Sequence, residues 1–137
     1  MSPPNVPLSE HLLGSPLGDP ALVQTLASLD AASAWEPDEG IVHWVSRVAG
    51  VDLQGNEAQQ RLVTIFFFNE GVEGHEQYAG PLPRGVEFAW DRARFAAHLG
   101  PPGLHGPKHD CWIAEDHRLI VQYDATGGVT KITVTRM

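Results

Sequence analysis

The sequence predicts an α+β fold: two tandem αβββ units forming one mainly antiparallel sheet, with both helices on one face. Three observations predict it. Two amphipathic helices each open at an aspartate, each is followed by short β-branched and aromatic runs, and the two halves align at a nearly constant offset.

The chain of 137 residues is one domain's worth, and 42% apolar residues suffice for an ordinary core. Within that single domain, residues 1–18 carry Pro3, Pro4, Pro7 and Pro16 and read as a frayed or draped arm. The first unit spans 19–79 and the second 80–137, with the turn "GPLP" at 80–83 as their joint.

Asp19 followed by Pro20 is a helix start, a capping carboxylate and then proline at the first helical position. Leu22, Val23, Leu26 and Leu29 follow at helical spacing and form one apolar stripe. The turn "WEPDEG" comes next, then "IVHWVSRV" and "AGVDLQG" as short strands, with Gly50 and Gly55 as breaks. "RLVTIFFF" is the strongest strand signal in the chain.

In the second half Asp91 caps a helix that buries Ala93, Phe95, Ala96 and Leu99, and Gly100-Pro101-Pro102 ends it. "DCWIAED", "RLIVQYD" and "VTKITVT" are its three strands. Trp44 falls on Trp112, Val51 on Leu119, Leu53 on Val121 and Gln54 on Gln122, all 68 positions apart, and Ile65 on Ile132 at 67. The expected core includes Leu22, Leu26, Phe95, Leu99, Trp112, Val121 and Ile132.

Charge narrows the partner class. Seventeen carboxylates face nine Lys and Arg, a formal charge of −8. Residues 1–46 hold Glu10, Asp19, Asp30, Glu36, Asp38 and Glu39 and no Lys or Arg. Such a field repels phosphate backbones and attracts basic proteins, so a protein partner is expected and nucleic acid is not. No window approaches the roughly 18 to 20 apolar residues of a membrane span, and the N-terminus lacks a signal-peptide pattern. Cys111 is the only cysteine, compatible with a reducing compartment, so the expected location is cytoplasmic.

Chemistry-bearing constellations are sparse. His98, His105, His109 and His117 cluster in sequence near Asp110 and Cys111, but no paired-cysteine or HxxxH frame accompanies them. "GHEQY" lacks the second histidine of a metalloprotease helix, and no phosphate loop or nucleophile elbow occurs. The expectation is no enzyme, no catalytic residue, no metal and no cofactor.

Aromatics point instead to a surface. Phe66, Phe67 and Phe68 cannot share one strand face. Phe67 or its neighbours are expected on the open face, joined by Trp35 and Trp44 and rimmed by Glu36, Asp38, Glu39, Glu70, Glu73 and Glu76. That face is either a partner-binding surface or one covered by the arm or a dimer mate, leaving monomer and homodimer both open.

The stretch "LPRGVEFAWDRARFAAHLGPP" with Trp112, Val121, Tyr123 and Ile132 beyond it resembles the fold of β-lactamase inhibitor proteins and BamE (SmpA/OmlA) lipoproteins. The link "FFFNEGVEGHEQYAGPLPRGVEF" is similar to one in small bacterial cytosolic proteins, some of them immunity partners of polymorphic toxins. The resemblance implies an immunity-type inhibitor that binds and blocks a cognate bacterial toxin in the cytoplasm; the acidic charge makes a basic target expected, a nuclease or another secreted effector domain. The alternative is a small acidic chaperone or adaptor for a secreted effector; a small enzyme using His98, His105 and His109 ranks below both.

Overall fold

The computed structural model describes residues 8 to 137; the part of the expected arm before Leu8 lies outside the described residues. A 3₁₀ turn at Glu10–Leu12 precedes α1 (Pro20–Leu29), β1 (Glu36–Asp38), β2 (Ile41–Ser46), β3 (Val51–Asn56) and β4 (Arg61–Phe68). Two more 3₁₀ turns, Val72–Gly74 and Pro83–Gly85, lead to α2 (Arg92–Leu99), then β5 (Leu104–His105), β6 (His109–Ile113), β7 (His117–Tyr123) and β8 (Val129–Arg136).

Local chemistry sets both helices. The Asp19 side chain accepts the Ala21 N–H at 3.3 Å behind Pro20, and Asp91 accepts the Arg94 N–H at 2.9 Å. Gly100 closes α2 at φ 87°, a backbone conformation that L side chains rarely adopt.

All eight strands join one sheet in the order β1-β2-β3-β4-β8-β7-β6-β5, and every pairing is antiparallel. This overturns the expected two tandem αβββ units. Among the described residues the molecule is one open, strand-dominated sheet with only two α-helices, and four strands follow each of them. The strands that sequence reading missed are the two edges. Glu36-Pro37-Asp38 has no strand propensity, and Pro37 lacks an N–H to donate, which an edge tolerates. Leu104–His105 is two residues long and pairs only with β6.

The constant offset fails as well. Trp44, Leu53, Ile65, Val134, Leu119 and Trp112 form one row across six strands. An offset of 68 would set Leu53 on Val121, which stands one row away. The turn before β3 has four residues, 47–50, and the turn before β7 has three, 114–116, so linear spacing and sheet register part there.

The whole row is buried. Leu22 and Leu26 of α1 and Phe95 of α2 join it in a single core cluster, with Phe95 6.3 Å from the rings of both Trp112 and Tyr123. Leu99 of the expected core is only half-buried. Leu8, Leu12 and Leu17 are buried too, so the arm from residue 8 onward is fastened. Gly14 N donates to the Leu62 carbonyl at 2.7 Å, and Leu17 N to Gln60 at 2.8 Å.

One extra residue in β4 decides which phenylalanines face the core. Gly55 pairs with Leu62 and Gln54 with Thr64, which leaves Val63 as a bulge. Alternation continued from Leu62 would bury Thr64, Phe66 and Phe68 on the helix side; past the bulge, Ile65 and Phe67 take that side. Phe67 is fully buried between Val51 and Ile132, its ring edge-on to Tyr78 at 4.9 Å. The expectation of Phe67 on the open face is therefore corrected. Phe66 and Phe68 occupy that face, and the His75 ring stacks on Phe68 at 3.7 Å.

Candidate functional site

The expected partner-binding residues separate into three groups. Trp44 and Phe67 lie in the core, at 2% and 0% exposure, and are not available as open-face anchors. Trp44 points inward because it shares the row of Leu53 and Ile65. Glu70, Glu73 and Glu76 are exposed on the connection after β4, where Glu73 lies 3.7 Å from Lys131 and Glu70 accepts the Gln77 N–H. Trp35, Glu36, Asp38 and Glu39 lie together around β1, the sheet edge next to the end of α1. Trp35 is half-buried against the core, and the three carboxylates are exposed.

A hydrogen-bonded anchor lies just before that edge in the chain. Asp30 follows the last turn of α1 and holds it to β2. Its carboxylate accepts the Ser46 hydroxyl at 2.7 Å and the Ala32 N–H at 3.1 Å. Ser33 Oγ lies 3.0 Å from the same carboxylate and 2.8 Å from the Val45 carbonyl, so one proton is shared between two acceptors. The Ser46 hydrogen bond first, then that of Ser33, hold Asp30 below the usual carboxylate range; burial opposes them, and the Ala32 N–H adds the smallest lowering. Sequence reading counted Asp30 only as charge. Asp30-Ala-Ala-Ser33 was visible as a local side-chain turn, but Ser46 is 16 residues away and reaches Asp30 only through the packing of β2 on α1.

Two cavities flank segment 31–35. One of about 270 Å³ is lined by Trp35, Trp44, Leu26, Val23 and Asp30. The other, about 340 Å³, is lined by Glu36, His43 and Val45, and both share Ser33 and Ala34. Asp38 lies 3.9 Å from His43, an ion pair when the imidazole is protonated.

The histidines do not converge. His105 Nδ1 is bonded to the buried Asp110, which also receives Arg92 at 3.0 and 3.1 Å and the Tyr123 hydroxyl at 3.1 Å. Burial pushes the Asp110 carboxyl up, but the bonds from Arg92, His105 and Tyr123 outweigh it and leave it below its ordinary value. His98 donates to the Arg84 carbonyl at 2.7 Å, and His117 sits between Glu10 and Asp116. Cys111 is buried on the opposite face from Asp110, and burial raises its thiol pKa. Among the described residues no three His, Cys, Asp or Glu side chains meet in a metal-holding geometry.

The open face carries the row Val45, Asp52, Phe66, Thr133, Ile120, Cys111 and Leu104. Val45 and Leu104 at its ends are exposed, as is Ile113, two residues beyond Cys111 on β6. Lys131 lies over the Phe66 ring at 5.1 Å. Among the described residues no helix is long and apolar enough to cross a membrane.

By architecture the chain is a single open antiparallel sheet covered by helices on one face. A crystal structure of a cysteine-rich secretory protein from Staphylococcus aureus shares it, with a TM-score of 0.58 at 11% identity. The match covers 92% of this chain and 44% of the staphylococcal one, so the chain spans less than half that protein's length. At that identity the likeness concerns fold alone. No family model matches the chain, and no curated protein is similar to it in sequence.

Proposed function

We propose that this chain is an immunity-type inhibitor, a cytoplasmic binding protein that docks on a cognate basic toxin and blocks it sterically. One observation carries the reading: the β1 edge, where Glu36, Asp38 and Glu39 stand exposed beside Asp30 in a stretch of 46 residues without a Lys or Arg. A single-sign edge steers a basic partner and raises its rate of encounter. The sequence resemblance to toxin immunity proteins supplies the partner class. With Trp44 and Phe67 in the core, contact area at this edge falls to half-buried Trp35 and exposed Val45 and Ile41.

The test is to purify the protein encoded beside this one and measure its activity and association with this chain. Stoichiometric inhibition, with an association rate that falls steeply with salt, is expected. An unaffected neighbour, or binding indifferent to salt, ends the reading.

A further inference from the structure

The cavity between α1, the segment 30–35 and Trp44 of β2 has a composition that the immunity reading does not by itself require. Its walls are apolar and aromatic, Trp35 and Trp44 with Leu26, Val23 and Ala31, and among the described residues Asp30 is the one charged side chain that lines it. Among the described residues no Lys, Arg or His pairs with Asp30. Its bonds to Ser46, Ser33 and Ala32 leave at least one of about four acceptor positions free. The C-terminal carbonyl end of α1 points the same way electrically, since its last turn holds no basic residue.

The two tryptophans differ from the other pair. Trp112 donates its indole N–H to the Gly100 carbonyl at 2.8 Å and Trp90 to Glu87 at 2.9 Å. Trp35 and Trp44 make no such bond among the described residues. Two indoles, an uncompensated carboxylate and an apolar wall are the ingredients that hold a cation on an alkyl stem.

We propose that this cavity takes one organic cation, the side chain of an arginine on a protein partner, with its stem along Val23 and Leu26 and its guanidinium against Trp35 and Asp30. A volume of about 270 Å³ admits one such side chain. A planar guanidinium stacks on an indole and bonds a carboxylate at once, which a lysine ammonium does less well. The protein source of the cation rests on the immunity reading; the cavity's preference for a cation does not.

The experiment follows the four indole N–H signals by NMR in the intact chain during titration with N-acetyl-arginine methylamide, and separately with the neutral N-acetyl-norleucine methylamide. The arginine compound is expected to shift Trp35 and Trp44 saturably while leaving Trp90 and Trp112 in place. The norleucine compound should bind about 10-fold more weakly. Asp30→Asn should erase most of that difference, and Trp35→Leu, which keeps the apolar volume, should weaken the arginine compound in a chain whose α1 anchor is intact. Equal binding of both compounds, or no saturation by either, overturns the proposal. No toxin is needed, so failure here and failure of the immunity reading are separate results.

Discussion

Trp44 and Trp112 stand at opposite ends of one buried row, separated by Leu53, Ile65, Val134 and Leu119. Each is covered by a different helix: Trp44 shares a cavity wall with Leu26 of α1, and Trp112 meets Phe95 of α2. The row is the spine of the core. It runs through the β4–β8 seam, so both halves of the chain are held by the same apolar layer.

The β4 bulge makes a direct prediction about adjacent phenylalanines. Phe67→Ala should cost about 3 to 5 kcal/mol in chemical denaturation, from a fully buried ring that leaves a cavity. Phe66→Ala, half-exposed on the other face, should cost below about 1 kcal/mol. The reverse ranking would mean that alternation runs unbroken from Leu62.

Arg92 and Asp110 fasten the β5–β6 hairpin to the start of α2. Arg92 also donates to the carbonyls of Gly106, Pro107 and His109 and lies 4.7 Å above the Tyr123 ring. Arg92→Met should cost about 2 to 3 kcal/mol, since it strips a 4% exposed carboxylate of its main partner. The figure is held below that of a fully buried pair because Arg92 is 31% exposed and His105 stays bonded. Arg92→Met with Asp110→Asn should be milder than the sum of the two single changes, as read by a double-mutant cycle.

His117 gives the fold a pH signature. It contacts Glu10 and Asp116, while Arg84 binds Glu10 at 3.0 Å and approaches His117 at 3.4 Å. Burial lowers the His117 pKa, but the two carboxylates more than offset it and leave it above the ordinary 6.5. Protonated His117 therefore contributes its full stability below pH 6.5 and loses it as pH rises through the elevated value. Glu10 behaves oppositely: burial raises its pKa, Arg84 and His117 outweigh that, and its contribution fades only as pH falls below the ordinary 4.5. The stability difference between the native chain and His117→Gln, measured by denaturation across pH, should shrink above 6.5. A difference that grows there would reverse the assignment.

Charge at the β1 edge should govern arrival at a basic partner. Replacing Glu36, Asp38 and Glu39 together by Gln, Asn and Gln should lower the association rate and flatten its salt dependence, with little change in dissociation. All three are exposed, so folding stability should stay within about 0.5 kcal/mol. Stopped-flow or surface kinetics at two salt concentrations reads both effects.

What the sequence by itself determined is local. Asp19-Pro20, Asp91 and Gly100 set the helix ends because a cap needs only residues within one turn. The inward stripe of Leu22, Leu26 and Phe95 and the β-branched run of β4 were legible for the same reason. The acidic edge was legible as charge, since Glu36, Asp38 and Glu39 are neighbours in the chain. Only the tertiary structure decided the rest. An edge strand as unpromising as Glu36-Pro37-Asp38 exists because β2 offers it partners, and Val63 bulges because β3 lacks a residue opposite it. That single residue exchanges the faces of Phe66 and Phe67. Trp44 faces inward because its side is fixed by cross-strand register with Leu53, which is a contact between segments and not a property of its neighbours in the chain. Asp30 became a site only when Ser46, Trp35 and Trp44 were brought around it by the packing of α1 on β2.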